Sequence, residues 1–149
     1  MFVVYLYLVS NMVYISESTN DTLNIGKELA ERLTGGEVIA LYGDLGVGKT
    51  HLISGLAQGL GFQGETSSPT FAIVNEYRGG RLPLFHFDMY RISGWEDLET
   101  TGFFDYSEEG GIIATEWSEN IEAALPENHI KITISRIDDN TREITVEGI

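Results

Sequence analysis

The chain contains no cysteine, and this absence excludes several kinds of site at once. Disulfide bonds, thiolate zinc centres and cysteine nucleophiles all need the sulfur that is missing here. Long apolar runs are missing too, because no stretch reaches the roughly 20 apolar residues of a membrane-spanning helix. The sequence therefore predicts a domain that does not rely on disulfides and has no membrane partner.

Basic residues are scarce. Nine Lys and Arg stand against 23 Asp and Glu, which gives a formal net charge of −14. Affinity for nucleic acids and anionic membranes comes largely from Lys and Arg that displace counterions. Here the basic residues are scattered singly along the chain. Unaided binding to RNA, DNA or a membrane is therefore not expected. Binding of a nucleotide remains possible, because one pocket and a metal ion can neutralise its few charges.

Residues 1–11 are mostly apolar but lack the basic start of a secretory signal. Two interpretations stay open for them. They form an edge strand added to the sheet, or they are an extension before a true start at Met12, and the second is slightly favoured. With no repeat and no low-complexity linker, residues 1–149 are expected to form a single domain.

A glycine-rich loop is the strongest motif. Residues 43–50 read Gly-Asp-Leu-Gly-Val-Gly-Lys-Thr, after the apolar strand pattern of residues 38–42 and before a helical pattern. In such a P-loop the glycine backbone wraps phosphates at a helix N-terminus, Lys49 reaches the β- and γ-phosphates, and the Thr50 hydroxyl binds Mg²⁺. The motif predicts an ATPase that uses ATP and Mg²⁺. The predicted nucleotide-binding residues here are Asp44, Leu45, Gly46, Val47, Gly48, Lys49, Thr50 and His51.

A P-loop enzyme also needs an acid near the metal, usually at the end of a buried strand. Asp88 follows one apolar run and Glu116 follows another. Spacing does not choose between them. Either one binds Mg²⁺, directly or through water, while the other orients the attacking water.

The remaining patterns define the fold. Residues 71–77 and 82–88 read as strands joined by a Gly-Gly turn, and isoleucines alternate with polar residues near the C-terminus. Residues 112–115 read as a buried strand and residues 95–101 as a short helix. The sequence predicts an α/β fold, a P-loop NTPase-like three-layer sandwich whose parallel core sheet is flanked by antiparallel strands.

Several residues allow two interpretations. Residues 67–70, Ser-Ser-Pro-Thr, are a plain turn or a loop that senses the γ-phosphate. Trp117 is a core residue or stacks on a base or a partner. The histidines His51, His86 and His129 lack metal-ligand spacing, so structural roles are expected for all three.

These blocks together resemble one family. Residues 43–50, Ser-Pro-Thr-Phe (68–71), Asn-Glu-Tyr (75–77), His-Phe-Asp-Met-Tyr-Arg (86–91) and Glu-Trp (116–117) are similar to the TsaE family of bacterial ATPases. The resemblance runs from about Val13 to the C-terminus. It implies a cytoplasmic ATP-binding protein needed for the threonylcarbamoyladenosine modification of tRNA.

The resemblance also implies partners and residue roles. Such proteins dock on the TsaD–TsaB pair, which performs the transfer, so tRNA is met only through partners, and ATP hydrolysis resets the complex. By position, Lys49, Asp88 and Glu116 are implied to be catalytic, and Thr50, Asp88 and Glu116 to bind the metal. Thr70 belongs to the switch-like loop and Trp117 to the active-site surface. His51 departs from the family, which commonly has a second threonine there.

Two other functions remain open from the sequence. One is a P-loop kinase of a small metabolite, with Arg78, Arg81 and Arg91 as the nearest candidates for a lid. The other is a nucleotide-binding regulatory module whose hydrolysis is incidental. A GTPase is not expected, because the sequence has no Asn-Lys-x-Asp motif for reading guanine.

Overall fold

The computed structural model describes residues 3–6, 11–44, 46–66 and 73–149, with side chains from residue 11 onward. Leu45 and residues 67–72, which include Thr70, lie outside the described residues, so their roles stay predictions. No helix within the described ranges is long and apolar enough to cross a membrane.

The described residues form one eight-stranded sheet and four α-helices. The strands are β1 (Val3–Leu6), β2 (Asn11–Ser16), β3 (Val38–Tyr42), β4 (Val74–Tyr77), β5 (Leu84–Asp88), β6 (Ile112–Glu116), β7 (Ile130–Arg136) and β8 (Arg142–Glu147). The helices are α1 (Thr19–Ala30), α2 (Lys49–Gly59), α3 (Trp95–Thr100) and α4 (Phe103–Ser107), with a 3₁₀ segment at Ser118–Ala124.

The strand order is β1-β2-β8-β7-β3-β6-β5-β4. Strands β7, β3, β6 and β5 are mutually parallel and occupy the middle of the sheet. The strands β1, β2 and β8 on one side, and β4 on the other, pair antiparallel. The prediction of a parallel core flanked by antiparallel strands is therefore confirmed.

Each face of the sheet is covered by its own hydrophobic core, which completes the three predicted layers. On one face α1 and α2 pack on Ile39 and Leu41 of β3, and on the isoleucines of β7. On the other face α3, α4 and the 3₁₀ segment contribute Leu98, Phe103 and Ile121 to a core with Phe85 and Phe87. Because the parallel strands are buried on both faces, they read as continuous apolar runs in the sequence.

Helix α1 begins at a serine cap, and glycines hold it close to α2. The Ser18 side chain accepts a hydrogen bond from the Asp21 backbone N–H at 3.0 Å. Further along, Gly26 and Gly55 face each other, since a Cβ at Gly26 would lie 2.9 Å from the Gly55 Cα. This close approach fixes α2, and with it the P-loop at its N-terminus.

The edge strands and the short helical segments differ most from what the sequence predicts. Val3–Leu6 forms an edge strand paired with β2, which agrees with the first of the two interpretations for residues 1–11. The start at Met12 is a separate matter and stays a prediction. Strand β4 begins at Val74, and α4 and the 3₁₀ segment were not predicted.

Candidate nucleotide-binding site

The glycine-rich loop connects β3 to α2, in the order that a phosphate-binding loop requires. Gly48 precedes α2 with φ 113°, a left-handed conformation that glycine adopts readily. Gly43 has φ 146°, and a Cβ there would lie 2.7 Å from the Ile134 carbonyl oxygen. Gly48 makes no side-chain cap hydrogen bond to α2, and the N-terminus of a helix favours an anion.

Lys49, the first residue of α2, holds its ammonium group across the mouth of the loop. Its Nζ donates to the Gly43 carbonyl oxygen at 2.8 Å and lies 3.9 Å from Glu116 Oε1. The side chain is only 10% exposed. The positive charge is thus held in place beside the loop before any phosphate arrives.

Glu116, the last residue of β6, is bound from two sides. Its Oε2 lies 2.6 Å from Nε2 of His86, a fully buried histidine, and its Oε1 faces Lys49. Burial acts to raise the pKa of Glu116 and is the largest single influence. The hydrogen bond from His86 and the nearby charges of His86 and Lys49 together outweigh it, so the pKa lies below its usual value. Glu116 is accordingly a carboxylate at neutral pH.

Asp88 ends the neighbouring strand β5 and is the register partner of Glu116. Its Oδ1 accepts a hydrogen bond from the Tyr90 backbone N–H at 2.9 Å. Leu84 of the same strand belongs to the core beneath α1 and α2, and side chains alternate along a strand, so His86 and Asp88 point to that face too. Both predicted acids therefore lie at the end of the sheet from which the P-loop leaves.

The donor set fits a magnesium ion carried in by a nucleotide. No group of three or more His, Cys, Asp or Glu able to hold a metal occurs among the described residues. Mg²⁺ is usually bound by one or two carboxylates together with phosphate oxygens and water. Thr50 at the start of α2, with Asp88 and Glu116, would supply that smaller number of ligands.

A cavity of about 160 Å³ opens beside the loop. The P-loop side, the start of α1 and the β7–β8 turn each contribute to its wall. The lining residues are Ser18, Thr19, Thr22, Gly46, Val47, Gly48, His51, Asp139, Asn140 and Arg142. Arg142 also donates from Nε to the Val47 carbonyl oxygen at 3.0 Å, so the turn is fastened to the loop.

Trp117 follows Glu116 in a left-handed conformation, with φ 57°. Such a conformation is uncommon and costly for a bulky residue. The Trp117 ring packs on Tyr90 with a centroid separation of 4.8 Å, and Lys49 Nζ lies 6.0 Å from its centre. Ser118, next along the chain, donates to the Leu41 carbonyl oxygen at 3.1 Å and so anchors the turn to β3.

The structure brings some of the predicted site residues together and leaves others apart. Lys49, Glu116 and Trp117 are neighbours, while His51 lies further along, at the cavity. Asp44 is exposed, and the Val47 side chain is buried in the core, so its contribution is a backbone one.

Three residues at the site were missed by sequence reasoning. The sequence held one signal for the contact of His86 with Glu116. His86 stands two residues before Asp88 on a strand and therefore shares its face. Asn140 and Arg142 had none, because only the folded chain brings the β7–β8 turn to the P-loop.

Comparisons with known proteins identify the family. Residues 16–144 match the family model described as threonylcarbamoyl adenosine biosynthesis protein TsaE. The tRNA threonylcarbamoyladenosine biosynthesis protein TsaE of Bacillus subtilis (strain 168) is 40% identical over 129 residues, covering 87% of this chain and 80% of that protein. The protein of the same name from Treponema pallidum (strain Nichols) is 39% identical over 132 residues, covering 89% and 97%.

A solved structure extends the agreement to the fold. The crystal structure of Bacillus subtilis YdiB superposes with a TM-score of 0.80 at 34% sequence identity, covering 97% of this chain and 90% of that one. Family model, relatives and fold thus converge, and the resemblance seen in the sequence is confirmed: the chain belongs to the TsaE family of threonylcarbamoyl adenosine biosynthesis proteins.

Proposed function

We propose that this protein binds and hydrolyses ATP as an accessory component of the machinery that installs threonylcarbamoyl on an adenosine of tRNA. One observation carries the proposal. The open N-terminus of α2 lies beside the Lys49 ammonium, which in turn lies 3.9 Å from the Glu116 carboxylate. A fixed cation and a helix N-terminus with a glycine cap suit a polyphosphate, and the carboxylate next to them suits its hydrolysis.

The nucleotide is placed by the loop and the cavity together. The phosphates lie against the backbone of residues 43–50, with Lys49 at the β- and γ-phosphates. The ribose and base extend into the cavity that begins at Gly46 and Gly48. His51 and Asn140 line that cavity and offer a ring face and an amide to an adenine.

In hydrolysis the protein positions the reacting groups and balances their charge. When bound, Mg²⁺ neutralises charge that develops on the phosphate oxygens, and Thr50, Asp88 and Glu116 are the residues that would hold it. Glu116, kept ionised by His86 and Lys49, is the group we assign to orienting the attacking water. Lys49 balances the negative charge of the γ-phosphate.

The aromatic pair of Tyr90 and Trp117 is the surface we assign to the protein partner. Tyr90 is 60% exposed, and its ring lies against Trp117, which in turn lies beside Lys49. Exposed aromatic side chains are the usual anchors of protein interfaces. A partner seated there, which we propose to be the TsaD–TsaB pair in the cytoplasm, would sense the nucleotide through Trp117 and would itself hold the tRNA.

A metabolite kinase is less well supported. Two of the three arginines considered for a lid are occupied with structural partners. Arg78 pairs with Glu76 and Glu109, and Arg81 donates to the Leu33 carbonyl oxygen at 2.8 Å.

Replacing Lys49 tests the proposal. Lys49→Met keeps the apolar stem and removes the charge, and hydrogen bonds to charged groups contribute roughly 1.5–3 kcal/mol, so we expect ATP affinity to fall about 10- to 150-fold. Isothermal titration calorimetry with ATP and Mg²⁺ measures this change. Lys27→Met on α1 is the matched control, with expected wild-type affinity. Equal affinity of the Lys49 variant and the wild type would remove the site.

A further inference from the structure

We propose that His86 is a positioning residue for Glu116. Its imidazole holds one oxygen of the Glu116 carboxylate, so that the other oxygen stays directed toward the phosphate site. The inference rests on the proposed ATP hydrolysis, because it concerns the residue assigned there to orienting water. Sequence reasoning gives His86 a structural role only.

The placement of His86 follows from the strand register. His86 lies in the middle of β5 and is the register partner of Ala114 on β6, while Glu116 stands two residues further along β6. Ala114 is small, so the imidazole can lean along the sheet to its diagonal neighbour. The result is the 2.6 Å contact between His86 Nε2 and Glu116 Oε2, with His86 fully buried.

The hydrogen bond has a definite direction. His86 Nε2 lies 2.6 Å from Glu116 Oε2, and a carboxylate only accepts hydrogen bonds. The proton must therefore reside on His86 Nε2. The other ring nitrogen, Nδ1, is buried and has no hydrogen-bond partner in the part of the chain that the structure describes. Glu116 is thus the hydrogen-bond partner that orients the imidazole.

The contact decides which way the carboxylate points. Lys49 lies 3.9 Å from Oε1, longer than a direct charge-assisted hydrogen bond of about 2.7–2.9 Å. Without His86, the half-buried carboxylate would turn to Lys49, the cation that already faces it, and would close this gap. Glu116 would then no longer face the water that it is assigned to orient. His86 thus keeps the Glu116 carboxylate and the Lys49 ammonium apart.

Three substitutions separate this role from packing. His86→Gln places an amide N–H near the position of Nε2, His86→Asn falls short of Glu116, and His86→Phe fills the space without a donor. Loss of a side chain that orients a functional group typically costs about 10- to 100-fold in activity. We expect His86→Phe and His86→Asn to lose kcat by this factor, ATP affinity to fall by much less, and His86→Gln to recover most of the activity.

The outcomes distinguish the possibilities. If His86→Phe is too unstable to assay, the pair His86→Gln and His86→Asn decides, provided that the two melt at similar temperatures. Equal kcat in those two variants would overturn the inference, as would a wild-type kcat in His86→Phe. His129→Gln, at a half-buried histidine just before β7, is the control. A wild-type chain that neither binds nor hydrolyses ATP, with or without the TsaD–TsaB pair, would overturn the proposed function and this inference with it.

A measurement without ATP tests the hydrogen bond itself. In ¹⁵N-labelled protein, NMR should show a slowly exchanging proton on His86 Nε2. Glu116→Ala should speed the exchange of that proton. A proton on Nδ1 alone, or unchanged exchange in the variant, would show that His86 does not hold Glu116, whatever the activity assays give.

Discussion

Asp88 and Glu116 end neighbouring strands as register partners, yet their surroundings differ. Glu116 is 13% exposed and contacts His86 and Lys49, whereas Asp88 accepts a backbone hydrogen bond from Tyr90. A carboxylate repels phosphates unless a metal or a cation intervenes. Both side chains should therefore matter more for hydrolysis than for holding the nucleotide.

This contrast gives a prediction for the acids. We expect Asp88→Asn and Glu116→Gln each to lower Mg²⁺-dependent ATP turnover by about 10-fold or more, with a smaller change in ATP affinity, because ligands and their orienting groups contribute on this scale. Steady-state turnover, with calorimetry in parallel, measures both quantities. Glu119→Gln, an exposed acid three residues further on, serves as the control. Normal turnover in both acid variants would remove them from the site.

The sequence predicted which residues form the site better than it predicted which residues contact them. Lys49, Asp88 and Glu116 could be chosen because a glycine loop and strand ends have recognisable patterns. That Glu116 is held by a buried histidine depends on the register of β5 against β6, which is a long-range property. Residue types near the motif do not encode that register, so the role of His86 required the structure.

The elements around the P-loop were the easiest to predict and the outlying ones the hardest. The apolar run of β3 matched residue for residue, because a strand buried on both faces has a continuous pattern. The short helix predicted at residues 95–101 is found as α3, whereas α4 spans only five residues, too few for helical periodicity to be visible. Their stability comes from the core beneath them, where Leu98 and Phe103 are buried.

The contact between α1 and α2 leads to a prediction at the scale of the element. Alanine favours a helix over glycine by about 1 kcal/mol, so Gly55→Ala in an open helix would raise stability. Here a Cβ would collide with the Leu23 carbonyl oxygen of α1. We expect the free energy of unfolding to fall by about 1–3 kcal/mol, the usual cost of overpacking. Chemical denaturation measures this change.

A matched control lies on the same helix. Gln58 is exposed on α2, so Gln58→Ala should leave the free energy of unfolding nearly unchanged. If Gly55→Ala stabilises the protein instead, the two helices do not approach as closely as described. ATP affinity of the Gly55 variant should also fall, because a displaced α2 carries Lys49 with it.

The charge of the whole molecule bears on its contact with tRNA. Residues 92–127, which include α3, α4 and the 3₁₀ segment, contain ten acids and no Lys or Arg. This face of the sheet should repel a polyanion. A protein partner that holds tRNA must therefore supply the basic surface itself.

The last prediction concerns the isolated protein and its partner. Alone, it should not bind tRNA at physiological salt and should hydrolyse ATP slowly, since neither Arg78 nor Arg81 is free to act as an arginine finger. Adding the TsaD–TsaB pair should raise turnover, and Trp117→Ala should lose that stimulation while retaining ATP binding. Filter binding and coupled ATPase assays measure these outcomes. Tight tRNA binding by the chain alone, or full turnover without partners, would contradict this prediction.

The strand order also has a consequence for biosynthesis. Strand β2, near the start of the chain, joins the parallel core only through β8, near its end. Strands β3 and β7, which pair directly, are likewise far apart in sequence. A nascent chain emerging from the ribosome therefore cannot complete the sheet until its final hairpin is made, and such non-local pairing slows folding. The apolar runs that later flank the P-loop stay exposed during synthesis, when chaperones have access to them.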